Sequence, residues 1–163
     1  MAELSQSFSH RLEHTRWGTA VYAACVAAVC YLVLQILIAV LIQGYSPWMP
    51  VRMIAAIVLG TGVLPETGFS FSVVLIAFLV HFGLSIMTAW IVAPIIEGAD
   101  MAKAVLIGAA AGLVIYLVNF YLLTAAFSWF EGLRGWATLI NHLIFGAVLA
   151  WVYKSRRLRA GNA

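Results

Sequence analysis

Residues 17–43 read WGTAVYAACVAAVCYLVLQILIAVLIQ, a stretch of chain without a charged side chain. A helix needs about 20 apolar residues to cross a bilayer, so this stretch is long enough to span one. Three further stretches have a similar apolar character, at residues 70–96, 102–127 and 136–153. The sequence therefore predicts four membrane-spanning helices.

The composition supports the same class of protein. Of the 163 residues, 64% are hydrophobic and 9% are charged, and the mean hydropathy is +1.03. Soluble domains have about a quarter of their residues charged. We therefore expect one membrane domain over residues 17–155, preceded by an N-terminal segment, residues 1–16, and followed by a basic tail, residues 156–163.

Basic residues are distributed unequally between the two sides of the membrane. An even number of spans places both termini on one side, and that side holds seven of the nine basic residues. The seven are Arg11, Arg16, Lys103, Lys154, Arg156, Arg157 and Arg159. The positive-inside rule then predicts cytoplasmic termini. The basic tail is expected to touch anionic lipid, and it is too short to suggest a nucleic-acid partner.

The segment between the first two spans contains a second kind of helix. Ser46-Pro47-Trp48-Met49-Pro50 is a rigid break, and Pro50 suits the first turn of a new helix. The apolar residues that follow, 50–60, are too few to span a bilayer. The predicted fold is thus all-α, a four-helix transmembrane bundle with one short interfacial or re-entrant helix. We expect Arg52 to reach the lipid headgroups.

Small residues in the third and fourth spans predict a close helix contact. Gly108 and Gly112 form a GxxxG pattern, and Gly146 lies in the fourth span. Such glycines let two membrane helices approach closely. Asn119 lies eleven residues beyond Gly108, about 20° away around a regular helix, so it is expected to share the packed face.

Each span also carries an uncharged polar side chain at a similar depth. Counting about 1.5 Å per residue places this polar layer roughly 11–17 Å below the outer surface. Polar groups inside a membrane are costly and are often functional. The layer consists of Gln35, His81, Asn119 and the pair Asn141 and His142.

Three functions are compatible with this layer. The leading hypothesis is a small non-enzymatic protein, structural or accessory, that associates with itself or with other membrane proteins, its layer holding helices together. The first alternative is a haem b electron carrier with His81 and His142 as axial ligands, oriented by Asn119, Gln35 and Asn141. The second alternative is a proton or small-ion pathway.

Several functions find no support in the sequence. No recognisable enzyme motif is present, and no carboxylate or third metal ligand lies at the depth of the layer. We therefore predict no catalytic residue and no metal site, and lean against an enzyme. Haem b is the one cofactor that the sequence suggests.

Six short stretches resemble a group of small, uncharacterised bacterial membrane proteins with four spans. They are Ser46-Pro47-Trp48, Arg52-Met53-Ile54-Ala55-Ala56-Ile57, Gly60 with Leu64-Pro65, His81-Phe82, Asn119-Phe120-Tyr121 and His142-Leu143-Ile144-Phe145-Gly146. Some members are labelled sodium:proline symporters, but such a symporter needs many more spans. The resemblance implies a multi-pass protein of the bacterial inner membrane, without an assigned activity.

Overall fold

The computed structural model describes residues 9–65 and 68–161 and confirms the all-α architecture. None of these residues lies in a strand, and four of the helices are long and apolar enough to cross a membrane. In chain order the helices are α1 (Trp17–Leu41), α2 (Met49–Leu59), α3 (Phe71–Ile96), α4 (Met101–Leu117) and α5 (Trp136–Gly161). Irregular helical turns continue α4 as far as Ala125, which completes the third candidate span.

The helices are arranged as an incomplete ring. Helix α1 packs against α3 on one side and α5 on the other, and α4 packs against α5. Helix α2 lies mainly against α3. Contact between α3 and α4 is slight, so the bundle is open along that side.

The closest helix approach joins α4 to α5 at the three predicted glycines. A Cβ atom added to Gly108 would overlap the carbonyl oxygen of Gly146, and one added to Gly146 would overlap that of Gly108. A Cβ atom at Gly112 would overlap the carbonyl oxygen of His142. Because apolar burial gives no driving force inside lipid, such close packing is a main source of helix association.

Helix α1 contributes a face of small side chains to the core. Ala20, Ala23, Ala24, Ala27 and Ala28 are all fully buried. The first four of these alanines pack with buried side chains of α3 and α5 in the main apolar cluster, which lies in the half of the bundle nearer the chain termini. Two smaller clusters lie around α2.

The short helix α2 is anchored in the protein through Arg52. The prediction that Arg52 reaches the headgroups is wrong, because this residue is 2% exposed. Its guanidinium donates hydrogen bonds to the carbonyl oxygens of Val63 and Gly68, each at 2.7 Å. Arg52 thus fastens the loop after α2, which begins at Gly60, where a φ of 79° favours glycine.

The chain ends are more helical than the spans alone predicted. Residues 9–14 are helical, and α5 continues past the predicted end at residue 153 into the basic tail. The remainder of the predicted terminal segments, residues 1–8 and 162–163, lies outside the described residues. Helix α4 begins regularly, with the Asp100 side chain accepting a hydrogen bond from the Lys103 amide at 2.9 Å.

Candidate functional site

Four polar side chains connect α1 to α5 at the middle of the bundle. The Asn141 Nδ2 group donates to Gln35 Oε1 and to the Tyr31 carbonyl oxygen, both at 3.1 Å. The Tyr31 hydroxyl lies 3.3 Å from His142 Nε2. Gln35, Asn141 and His142 are each at least 97% buried. We call these four residues the clamp.

The hydrogen bonds of His142 define its tautomer. Its Nδ1 lies 2.8 Å from the Thr138 carbonyl oxygen, which can only accept, so Nδ1 carries the proton. In the neutral imidazole Nε2 then accepts from the Tyr31 hydroxyl. Tyr116 and Phe120 of the α4 segment surround the same ring edge-on, with centroids 5.6 and 5.5 Å away. The imidazole is therefore held in one orientation.

His81 approaches the same place from α3. Its Nε2 lies 3.0 Å from the Ala28 carbonyl oxygen, so that nitrogen donates. The Tyr31 ring is a common neighbour of both imidazoles, with its centroid 5.5 Å from that of His81 and 4.8 Å from that of His142. The imidazoles of His81 and His142 thus both contact the ring of Tyr31, the first in a tilted and the second in an edge-on arrangement.

Asn119 departs from its predicted position. The buried face of α4 continues from Gly112 through Tyr116 to Phe120, and not through Asn119. The buried positions recur every four residues, so the packed face winds around α4 and reaches Phe120; the π-helical turn over Val118–Leu122 begins only one residue before Asn119. Asn119 is therefore partly buried and lines a cavity instead of the α4–α5 contact.

Arg134 stabilises this widened turn. Its Nε and Nη2 groups both donate to the Phe120 carbonyl oxygen, at 2.9 and 2.6 Å. A π-helical turn disturbs the regular backbone ladder, and such turns are frequent at functional sites. Arg134 also lies over the Tyr121 ring, with its Cζ atom 4.5 Å from the centroid. The turn is held in place by a side chain from the loop before α5.

A cavity of about 230 Å³ lies beside the clamp. Tyr31, Gln35, His81, Asn119 and His142 all line it, whereas Asn141 is not among its lining residues. Of its lining side chains, the most exposed are Leu84 on α3, at 50%, and Leu123 after α4, at 38%. The mouth of the cavity therefore lies between α3 and α4, where the ring of helices is open.

The haem hypothesis needs a free nitrogen on each imidazole. His142 meets part of this requirement, because a backbone carbonyl holds its Nδ1–H and leaves the lone pair on Nε2. The Tyr31 hydroxyl occupies that lone pair, however, and His81 donates through its Nε2 to the Ala28 carbonyl, which leaves its lone pair on Nδ1. A bis-histidine haem would have to displace the Tyr31 hydroxyl from His142, and that hypothesis stays a prediction.

A second polar cluster, at the end of α3 near the chain termini, did not emerge from the sequence. Both carboxylate oxygens of Glu97 are engaged, one by the Tyr153 hydroxyl and the other by Arg157. The Lys154 ammonium donates to the Glu97 carbonyl oxygen at 3.0 Å, and the Arg16 amide lies 3.3 Å from the Tyr153 hydroxyl. The one pattern in the sequence that indicates this cluster is the spacing of Tyr153 and Arg157, which are four residues apart and so share a helix face.

Among the described residues, no group of three or more His, Cys, Asp or Glu side chains is placed to hold a metal ion. No family model, no curated protein and no solved structure matches this chain.

Proposed function

We propose that this integral membrane protein is non-enzymatic and serves as a small structural or accessory subunit. The observation that carries the proposal is the clamp, in which Asn141 donates to two groups of α1 at once. Hydrogen bonds of this kind fix the register of membrane helices, at about 0.6–2 kcal/mol each. Their partners here are protein groups, so the clamp performs this role without a cofactor.

The proposed orientation has both termini in the cytoplasm of a bacterial inner membrane. Arg11, Arg16, Lys154 and Arg157 gather at one end of the bundle, where each contacts the backbone or a side chain of a neighbouring helix. A concentration of basic residues at one end agrees with the positive-inside rule. We also propose membership of the group of four-span bacterial proteins that the sequence resembles.

The ion-pathway hypothesis receives less support than the clamp. A proton path needs polar groups or water along its whole length. Between the clamp and the Glu97 cluster, the described part of the bundle is filled by a tightly packed apolar core. Fully or almost fully buried members of that core include Ala20, Ala24, Ala27 and Leu149. A path through one copy of the chain would have to open this core.

The clamp is tested by a double-mutant cycle on Gln35→Leu and Asn141→Leu. We expect a coupling energy of about 0.6–2 kcal/mol in the free energy of unfolding, measured in detergent micelles. The matched control replaces the neighbouring lipid-facing Ile140, which is 45% exposed, with leucine and should change nothing. Additive effects of the two leucine variants would contradict a clamp.

The accessory role is tested by the mass of the protein in mild detergent. We expect a defined assembly larger than one 17.7 kDa chain, built from several copies or from a stoichiometric partner. A single chain in every mild detergent would contradict that role. The optical spectrum of the same sample tests the haem alternative, since a Soret band lost in a His142→Ala variant would favour haem instead.

A further inference from the structure

The cavity beside the clamp opens toward the lipid phase. Its mouth lies between Leu84 and Leu123, on faces of the bundle that other helices leave uncovered. Helices α3 and α4 are both candidate spans, so a molecule dissolved in the bilayer would enter sideways without crossing water. The access route therefore selects a lipid-soluble ligand.

Two amide groups in the wall lack partners within the described part of the chain. Gln35 is 98% buried, and its Nε2 group makes no hydrogen bond although Oε1 accepts from Asn141. The Asn119 amide, which also lines the cavity and is partly buried, likewise makes none there. Buried N–H groups are nearly always paired, so Gln35 Nε2 is a donor suited to an oxygen atom of a ligand, and the partly buried Asn119 amide can offer a second donor.

The size and chemistry of the remaining wall narrow the class of ligand. The cavity volume is about 230 Å³, and a cavity of about 150 Å³ is sufficient to bind benzene. Aromatic side chains favour stacking or edge contact with a flat ring. Those in the wall are Tyr31, His81, Phe120, Phe127, Phe130, His142 and Phe145. The wall therefore matches one substituted aromatic or quinonoid ring.

The charge of the wall excludes another kind of membrane ligand. None of the lining residues is Asp, Glu, Lys or Arg. A phospholipid headgroup would bring a phosphate into an apolar pocket without a compensating positive charge, which is unfavourable. The ligand head is thus expected to be neutral, with oxygen acceptors and no formal charge.

We propose that this cavity binds the head of a lipid-soluble quinone. One ring carbonyl accepts from Asn119, another accepts from Gln35 Nε2 once the ligand displaces the groups that cover this nitrogen, and the apolar tail leaves between Leu84 and Leu123. This assignment concerns binding alone and does not depend on the accessory role. If binding fails, the coupling between Gln35 and Asn141 is unaffected, so the two proposals fail separately.

The experiment is equilibrium dialysis of the purified full chain in detergent, with decylubiquinone as the probe. We expect saturable binding of one probe per chain. Leu123→Trp fills the mouth and should weaken binding at least tenfold, whereas Leu122→Trp, next to it and 66% exposed, should change binding less than twofold. Asn119→Leu removes a donor and should weaken binding severalfold.

Decylbenzene, which has the same tail and no oxygen atoms, separates polar recognition from simple partition into an apolar space. We expect it to displace the probe at least tenfold less well than unlabelled decylubiquinone. Equal displacement, no saturable binding, or equal effects of the two tryptophan variants would overturn the proposal. If a lysophospholipid displaced the probe better than decylubiquinone does, the inference that the ligand has an uncharged head would be wrong. If Leu123→Trp fails to fold, Asn119→Leu and the decylbenzene comparison decide.

Discussion

Replacing Gly112 with alanine should push α4 and α5 apart where their backbones are in close contact. The added Cβ atom would overlap the His142 carbonyl oxygen and lie 2.8 Å from its carbon, whereas ordinary contact begins at 3.4 Å. Both neighbouring atoms belong to the helix backbone, so rotation of a side chain cannot relieve the overlap and the helices must move apart. Overpacking of this kind costs about 1–3 kcal/mol.

A glycine-to-alanine substitution at a position without close neighbours should instead leave the protein as stable or make it slightly more stable. Gly83 on α3 has no atom within 4 Å of an added Cβ, so Gly83→Ala is a matched control. Alanine is favoured over glycine in a helix by up to about 1 kcal/mol. We therefore expect Gly112→Ala to lose about 1–2 kcal/mol net, and Gly83→Ala to lose nothing.

The assay is unfolding of each purified variant by titration with SDS, followed by circular dichroism. Because all variants are unfolded under identical conditions, the differences in their free energies of unfolding can be compared without knowing the absolute values. If Gly112→Ala and Gly83→Ala agree within about 0.3 kcal/mol, close packing at Gly112 is not what holds α4 to α5.

Two further predictions concern side chains that hold the ends of helices. Arg134→Ala leaves the Phe120 carbonyl without its donors and should lower the free energy of unfolding by about 1–2 kcal/mol, with part recovered in Arg134→Lys; an unchanged midpoint would contradict this. Glu97→Gln weakens a pair in which Arg157 is 26% and Glu97 7% exposed, so we expect a loss of about 1 kcal/mol that disappears when Arg157 has already been replaced with glutamine. An equal loss in that background would show that the ion pair contributes nothing there.

Much of the polar layer could be anticipated because depth in a membrane helix follows directly from residue counting. Gln35, His81, Asn119 and His142 do line one cavity, and Asn141 lies directly behind Gln35. The angular position of a side chain around the helix axis is harder to predict from the sequence than its depth. Asn119 lies close to Gly108 by angle on a regular helix, but the packed face advances every four residues from Gly108 to Phe120 and so passes beside Asn119.

Tyr31 shows a different limit of sequence reading. It lies four residues before Gln35 on α1, on the same helix face, but its position in an apolar stretch does not mark it as a member of the polar layer. In the structure its ring contacts both His81 and His142, and its hydroxyl bonds one of them. A tyrosine in an apolar run resembles a lipid-facing anchor or a core aromatic, and only its neighbours distinguish the two.

The class of the protein, the number of spans, the break before α2 and the depth of the polar residues can be read from the sequence. Each of these follows from length, hydropathy and proline placement along one segment. Only the assembled helices show that Arg52 is buried, that Glu97 contacts α5, and that α3 and α4 stay apart. In lipid, a face covered by protein and a face covered by acyl chains are both apolar, so α1, α3 and α4 are similarly hydrophobic all round. Which faces meet is therefore set by close packing and hydrogen bonds between helices, and these exist only once the helices have assembled.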